Sequence, residues 1–130
     1  MGRPMMQQMT IPGRLDGLNE YTRACRSHRM SGAQMKRRNQ DAVRWCAKAA
    51  RLKPCGGRVR IRYAFYEAPL KKGARLRDKS NIAAFAVKVI EDALVEEGVL
   101  PDDGWDVVEG YSCEFFRSAD PRIVVVLEDA

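Results

Sequence analysis

Residues 76–106 read LRDKSNIAAFAVKVIEDALVEEGVLPDDGWD, and this stretch decides the fold. Ile82, Phe85, Ala86, Val89, Ile90, Ala93 and Leu94 recur at three- and four-residue steps. That spacing puts them on one broad face and predicts a helix over Ile82–Glu97. Gly98 ends it, because glycine enters the left-handed conformation that closes a helix. Val99 to Gly104 then reads as a connecting turn. So wide an apolar face must be covered by another layer.

The flanking sequence supplies that layer. Arg58–Glu67 alternates, with Val59, Ile61, Tyr63 and Phe65 on one side and Arg58, Arg60 and Arg62 on the other. A period of two predicts a half-buried strand. Trp105–Phe116 and Arg122–Glu128 read as two more strands, joined by a turn over Ser118–Pro121. Further back, Ala33–Leu52 is predicted helical, with Ser31 as its cap and Met35, Ala42, Cys46, Ala49 and Ala50 as its apolar stripe. Pro54 and Gly56-Gly57 stop it. Leu15–Ser31 reads as loop with room for a short helix, and Gln8–Ile11 as a first short strand halted by Pro12-Gly13. The whole is an α/β chain of the α+β type. It has a small mixed sheet of about four strands and two main helices, in a single domain over residues 1–130.

Bulk properties narrow the function. A chain of 130 residues is the size of one domain. No apolar run reaches the roughly 18 residues that a membrane span needs. Met1 to Met9 lack the apolar core of a secretory signal, so a cytoplasmic protein is expected. Cys25, Cys46, Cys55 and Cys113 show no C-x-x-C pairing, and His28 is the only histidine, so zinc is not expected. Separate reduced thiols fit a reducing compartment.

Net charge is +6, with a pI near 9.4. Residues 1–60 carry 14 basic against 3 acidic side chains, and the remainder 9 against 14. The first half is an electrostatic footprint for phosphates. The second half gathers carboxylates, whose use beside a polyanion is to hold divalent cations.

The carboxylates of interest are Asp78, Asp102, Asp103 and Asp106. In the plain reading, Asp78 is a helix-start acid favoured by the dipole and Asp102-Asp103-Gly104 is a turn. In the sharper one they share a cation, which requires the chain after the helix to fold back along about 25 Å of it. Spacing does not choose between them. Lys88 interrupts the apolar run Ala83–Ile90 and shares a polar stripe with Asn81 and Asp92. Such a stripe is ordinarily solvated. It can also present a lysine to charge building on a phosphate.

The ordered series Leu76-Arg77-Asp78-Lys79-Ser80-Asn81-Ile82, Phe85, Lys88, Ile90, Asp92-Ala93-Leu94, Gly98-Val99-Leu100, Asp102-Asp103 and Trp105 resembles the RusA family of Holliday-junction resolvases. It is most similar to the branch in phages and prophages of Gram-positive bacteria. Ile11-Pro12-Gly13, Leu18-Asn19-Glu20-Tyr21, Arg26 and Lys36 resemble that branch too, as do Gly110-Tyr111, Phe115-Phe116 and Pro121-Arg122-Ile123-Val124. The resemblance implies a homodimeric endodeoxyribonuclease that depends on Mg²⁺, or Mn²⁺ in its place. It implies paired symmetric nicks across a four-way DNA junction during recombination and repair.

The family's motif is D-x-D-N, then a helix lysine, then D-D. Asp78, Asn81, Lys88 and Asp102-Asp103 match it, with one extra helical turn before Lys88. The resemblance makes Asp78, Lys88 and Asp103 catalytic and Asp78, Asp103 and Asp102 metal ligands. Ser80 stands where the second acid is expected. A hydroxyl brings no negative charge, so metal binding and activity should weaken, or Asp102 or Asp106 should be recruited. Arg23, Arg26, Arg29, Lys36, Arg37, Arg38, Lys71, Lys72, Arg75 and Asn81 would hold the nucleic acid, chiefly through backbone phosphates. The alternative is a branched-DNA-binding protein that cuts weakly or not at all. An RNA-binding domain is disfavoured by the lack of a stacking pattern on a strand.

Overall fold

The computed structural model describes residues 5–130. Its elements run β1 (Met6–Pro12), α1 (Leu18–Ser27), α2 (Arg29–Ala49), β2 (Val59–Glu67), α3 (Lys79–Glu96), β3 (Val108–Arg117) and β4 (Arg122–Asp129). The α+β class and the four-stranded mixed sheet are as expected from the sequence.

The amino-terminal half needs correction. The segment expected to be mostly loop holds α1 and the first residues of α2. The helix break falls at His28, whose backbone is extended and whose Nδ1 accepts from the Met30 amide at 3.1 Å. His28 is therefore the cap of α2, and Ser31 lies inside the helix. Gly32 is helical and buried. A Cβ there would collide with Cys25 Sγ, so the glycine lets α1 and α2 approach.

The apolar stripe of α2 also differs. Its buried residues are Gly32, Asn39, Val43 and Ala47, whereas Ala42, Ala49 and Ala50 are exposed. Asn39 hides the true phase, because a polar residue occupies the core-facing position. Its amide is satisfied there. Nδ2 donates to Asp16 Oδ2 at 2.7 Å and to the Met35 carbonyl at 2.8 Å, and Oδ1 accepts from the Asp16 amide at 2.9 Å.

The apolar face predicted for α3 is the one that is buried, residue for residue. It packs with Val59, Ile61, Tyr63 and Phe65 of β2 and with Ile123, Val125 and Leu127 of β4. Tyr21 stacks on Phe85 at 4.6 Å and ties α1 to the same core. The opposite side of β2 exposes Arg60 and Arg62, so the helices cover one face of the sheet.

Strand order is β1-β4-β2-β3. β3 runs parallel to β2, and β4 runs antiparallel to both β2 and β1. A parallel pair requires a crossover, and α3 is that crossover. β3 and β4 are joined by a short turn yet do not pair, because β2 lies between them. The turn steps over the end of β2, where the Ser118 amide donates to the Glu67 carbonyl at 2.8 Å.

Glu67 is a charged residue in the core, 6% exposed. Arg77 donates to its carboxylate and, at 3.0 Å, to the Leu15 carbonyl. Arg14 Nε lies 3.5 Å from the other carboxylate oxygen. This cluster clamps the end of β2 to the segment just before α3, and so fixes where α3 begins. Removing one partner leaves a buried charge uncompensated. Arg77→Met should lower stability by about 3 kcal/mol. Arg75→Met, at an exposed position, should change it by less than about 0.5 kcal/mol. Urea unfolding of the two variants checks the contrast; equal midpoints would remove the clamp.

Candidate active site

The acidic turn does fold back along α3. Gly98, at φ +76°, reverses the chain after the helix. The Val99 and Leu100 amides both donate to the Leu94 carbonyl, at 2.9 and 3.2 Å, and both side chains are buried. The segment thereby returns over the helix, and Asp103 Oδ2 reaches Lys88 Nζ at 3.0 Å. Lys88 also meets Asp92 Oδ1 at 3.1 Å, one turn along its own helix. Asp92 in turn holds Lys36 of α2 at 2.8 Å.

These contacts tune the charges. Hydrogen bonds to Asp103 and then Asp92 raise the Lys88 pKa, so the ammonium keeps its proton at neutral pH. Burial works against the Asp92 carboxylate, but hydrogen bonds from Lys36 and Lys88 prevail and lower its pKa. Glu91 behaves in the opposite way. Burial first, then the charge of Asp103, raises its pKa, while Tyr63 donates to it at 3.4 Å. Glu91 and Lys36 were not foreseen as neighbours of the lysine. Glu91 lies three residues from Lys88, a spacing that shares a helix face, and that signal was available.

The other expected residues sit elsewhere. Asp78 is exposed at the N-cap of α3 and makes no capping bond with its side chain. It lines a cleft of about 550 Å³ with Arg77, Lys79, Ser80, Phe115 and Arg117. Ser80 also lines the next cleft, with Lys88, Glu91, Tyr111 and Cys113, so it bridges the two. Ten residues at 1.5 Å rise separate Asp78 from Lys88, about 15 Å along the helix. The acidic turn reaches the lysine, while among the described residues Asp78 joins no group of three ligating side chains.

Asp102 Oδ1 accepts from the Gly104 amide at 2.7 Å and closes the turn. Asp106 is fully exposed, 4.0 Å from Arg58. Asp78, Asp102 and Asp103 thus do not converge as a cation-holding set. Among the described residues, no three His, Cys, Asp or Glu side chains gather closely enough to hold a metal ion.

Asn81 performs structural work. Its Oδ1 accepts from the Asn19 amide at 2.7 Å, serving the start of α1, where the N-cap Gly17 has no side chain to offer. The basic residues divide into two groups. Lys36 is tied to Asp92, and Arg37 to Asp41 and Glu96 at 2.7 and 2.8 Å. Arg23, Arg26, Arg29, Arg38, Lys71, Lys72 and Arg75 are exposed, and among the described residues no carboxylate pairs with them. Of the basic residues expected to hold nucleic acid, these are the free cations.

The lowered Asp92 pKa carries a pH signature. A depressed folded pKa contributes stability above the ordinary value of 3.8 and loses it as pH falls through the folded value. Asp92→Asn should be less stable than wild type at pH 7, with the gap closing below about pH 3.8. Thermal unfolding across pH 3–7 measures this, and a gap independent of pH would exclude the ionic origin.

Residues 18–128 match the family described as Endodeoxyribonuclease RusA. No curated protein matches the chain. The match spans both ends of α3, the acidic turn and all strands except β1. The chain belongs to the RusA family, whose members are endodeoxyribonucleases that resolve Holliday junctions.

Proposed function

We propose that this protein binds four-way DNA junctions as a homodimer and resolves them by paired symmetric nicks, within phage or prophage recombination and repair. The observation that carries the reading is the 3.0 Å contact between Lys88 and Asp103. Residues fifteen apart in sequence meet because the chain reverses after Gly98, and they match the family's helix lysine and acidic pair. DNA as substrate accords with the expected cytoplasmic location; among the described residues no helix is long and apolar enough to cross a membrane.

Phosphodiester hydrolysis needs an oriented water and relief of the growing phosphate charge. Lys88 keeps its proton and offers a fixed positive charge for that relief. Asp103 has oxygen acceptors, partly exposed, to orient water beside it. The family resemblance implies Mg²⁺, with Mn²⁺ as substitute. The carboxylates as arranged do not form its cage, and Ser80 removes one charge from it. Metal dependence is therefore proposed on the resemblance alone.

Ser80 favours a second reading, a branched-DNA binder that cuts slowly or not at all. Both readings place phosphates on Arg23, Arg26, Arg29, Arg38, Lys71, Lys72 and Arg75. A basic dimer reading branch shape needs little base contact.

Nicking of a synthetic four-way junction, with Mg²⁺ or Mn²⁺ and with chelator, separates the two. Asp103→Asn and Lys88→Ala should each slow nicking by about 10²-fold or more while junction binding persists. Ser80→Asp should speed it. Junctions left intact at high protein and metal concentration, with Ser80→Asp equally inert, would leave only the binding reading. The cation division makes a separate prediction. Lys71→Ala/Lys72→Ala should reduce the slope of log affinity against log salt by up to about 0.9 per lost phosphate contact. Lys36→Ala should reduce it less, because Asp92 already neutralises that charge. Equal slopes, from binding titrations at several salt concentrations, would contradict the division.

A further inference from the structure

Trp105 is 95% exposed, two residues beyond Asp103. The other tryptophan, Trp45, lies under the Lys48 ammonium at 5.7 Å, whereas among the described residues no aromatic or cationic partner accompanies Trp105. Its backbone is held in place. The Val107 and Val108 amides both donate to the Gly104 carbonyl, at 3.1 and 3.0 Å, and Asp102 braces the same turn. A large apolar ring is thus presented to water from a fixed turn beside the candidate catalytic acid. Trp105 is not needed by the core.

A second aromatic lines the same cavity. Trp105 and Tyr111 line one cavity of about 310 Å³, with Asp103, Glu91 and Glu109. Tyr111 is 56% exposed, and its ring is set edge-on to buried Tyr63 at 6.0 Å and 82°. The carboxylates of Glu109 and Asp103 in this cavity are paired, with Arg58 at 2.9 Å and Lys88 at 3.0 Å. Exposed rings beside paired charges suit the uncharged, planar part of a nucleic acid, its base.

We propose that Trp105, with Tyr111 in the same cavity, stacks on a nucleobase displaced at the branch point of the junction and so confers preference for branched over continuous DNA. This inference rests on the junction-binding reading above. At a branch point a base lacks continuous stacking on one side, so taking it out of the stack costs less than within a duplex. Base–aromatic stacking tolerates any sequence, which suits recognition by shape. Trp105 is a specificity-determining residue in this scheme, distinct from the residues that handle the phosphate.

The test titrates the full chain against an immobile four-way junction carrying 2-aminopurine at the exchange point, and against a linear duplex of equal length. Sedimentation is run in parallel. Trp105→Ala should weaken junction binding by about 5- to 100-fold and duplex binding by less than about 2-fold. It should also abolish the change in 2-aminopurine fluorescence expected of wild type. Trp105→Phe should retain most of both signals, and Trp45→Phe should behave as wild type. Trp105→Ala with undiminished junction preference overturns the stacking role. So does equal loss on both DNAs, or dissociation of a dimer, which would make Trp105 an interface residue. Wild type without any junction preference overturns the junction reading itself, an outcome read before any variant is compared.

Discussion

The apolar face of α3, seated on the inner face of β2 and β4, is the contact on which the rest of the molecule depends. Seven side chains of one helix enter the core there, and none of them is polar. Because α3 links β2 to β3 as a parallel crossover, the same contact sets the direction of β3 and forces the chain to return along the helix. The acidic turn lies on that return path. Packing therefore delivers Asp103 to Lys88, and chemistry at the site is downstream of hydrophobic burial.

Electrostatic contacts refine what burial fixes. The Glu67 cluster holds the start of α3 at the end of β2. Lys36, Asp92, Lys88 and Asp103 form a continuous chain of ion pairs from α2, across α3, to the acidic turn. Most of these groups are partly exposed, so each pair adds little stability alone. Their consequence is placement. They hold the lysine charged and the acidic turn against the helix. They also neutralise Lys36, as Asp41 and Glu96 neutralise Arg37. In the proposed function the DNA contacts fall instead to the exposed cations of α1, α2 and the 68–77 loop.

The family was legible in the sequence because it rests on an ordered series of local patterns. The buried face of α3 and the alternation of β2 were read correctly, since each obeys a single period without interruption. The α2 stripe was misread where Asn39, a polar residue satisfied by Asp16 and Met35, occupies a core position. Within Leu15–Ser31 the sequence left room for a short helix but did not place α1, because its cap, Gly17, offers no side chain, and the missing acceptor comes from Asn81, 62 residues away. Glu91, Tyr111 and the exposure of Trp105 depend on which neighbours the fold brings or withholds.

By itself the sequence determined the class of fold, the core of its central helix, the basic character of the first half, and the ordered residues that mark the RusA family. These are properties of composition and of periods of two or about 3.6, carried by consecutive residues. Only the tertiary structure decided that the acidic turn meets Lys88. It alone inserted β2 between β3 and β4, and it alone divided the basic residues into paired and free. Those outcomes turn on where a chain reverses and which distant groups it then brings within about 3 Å. No local spacing encodes them.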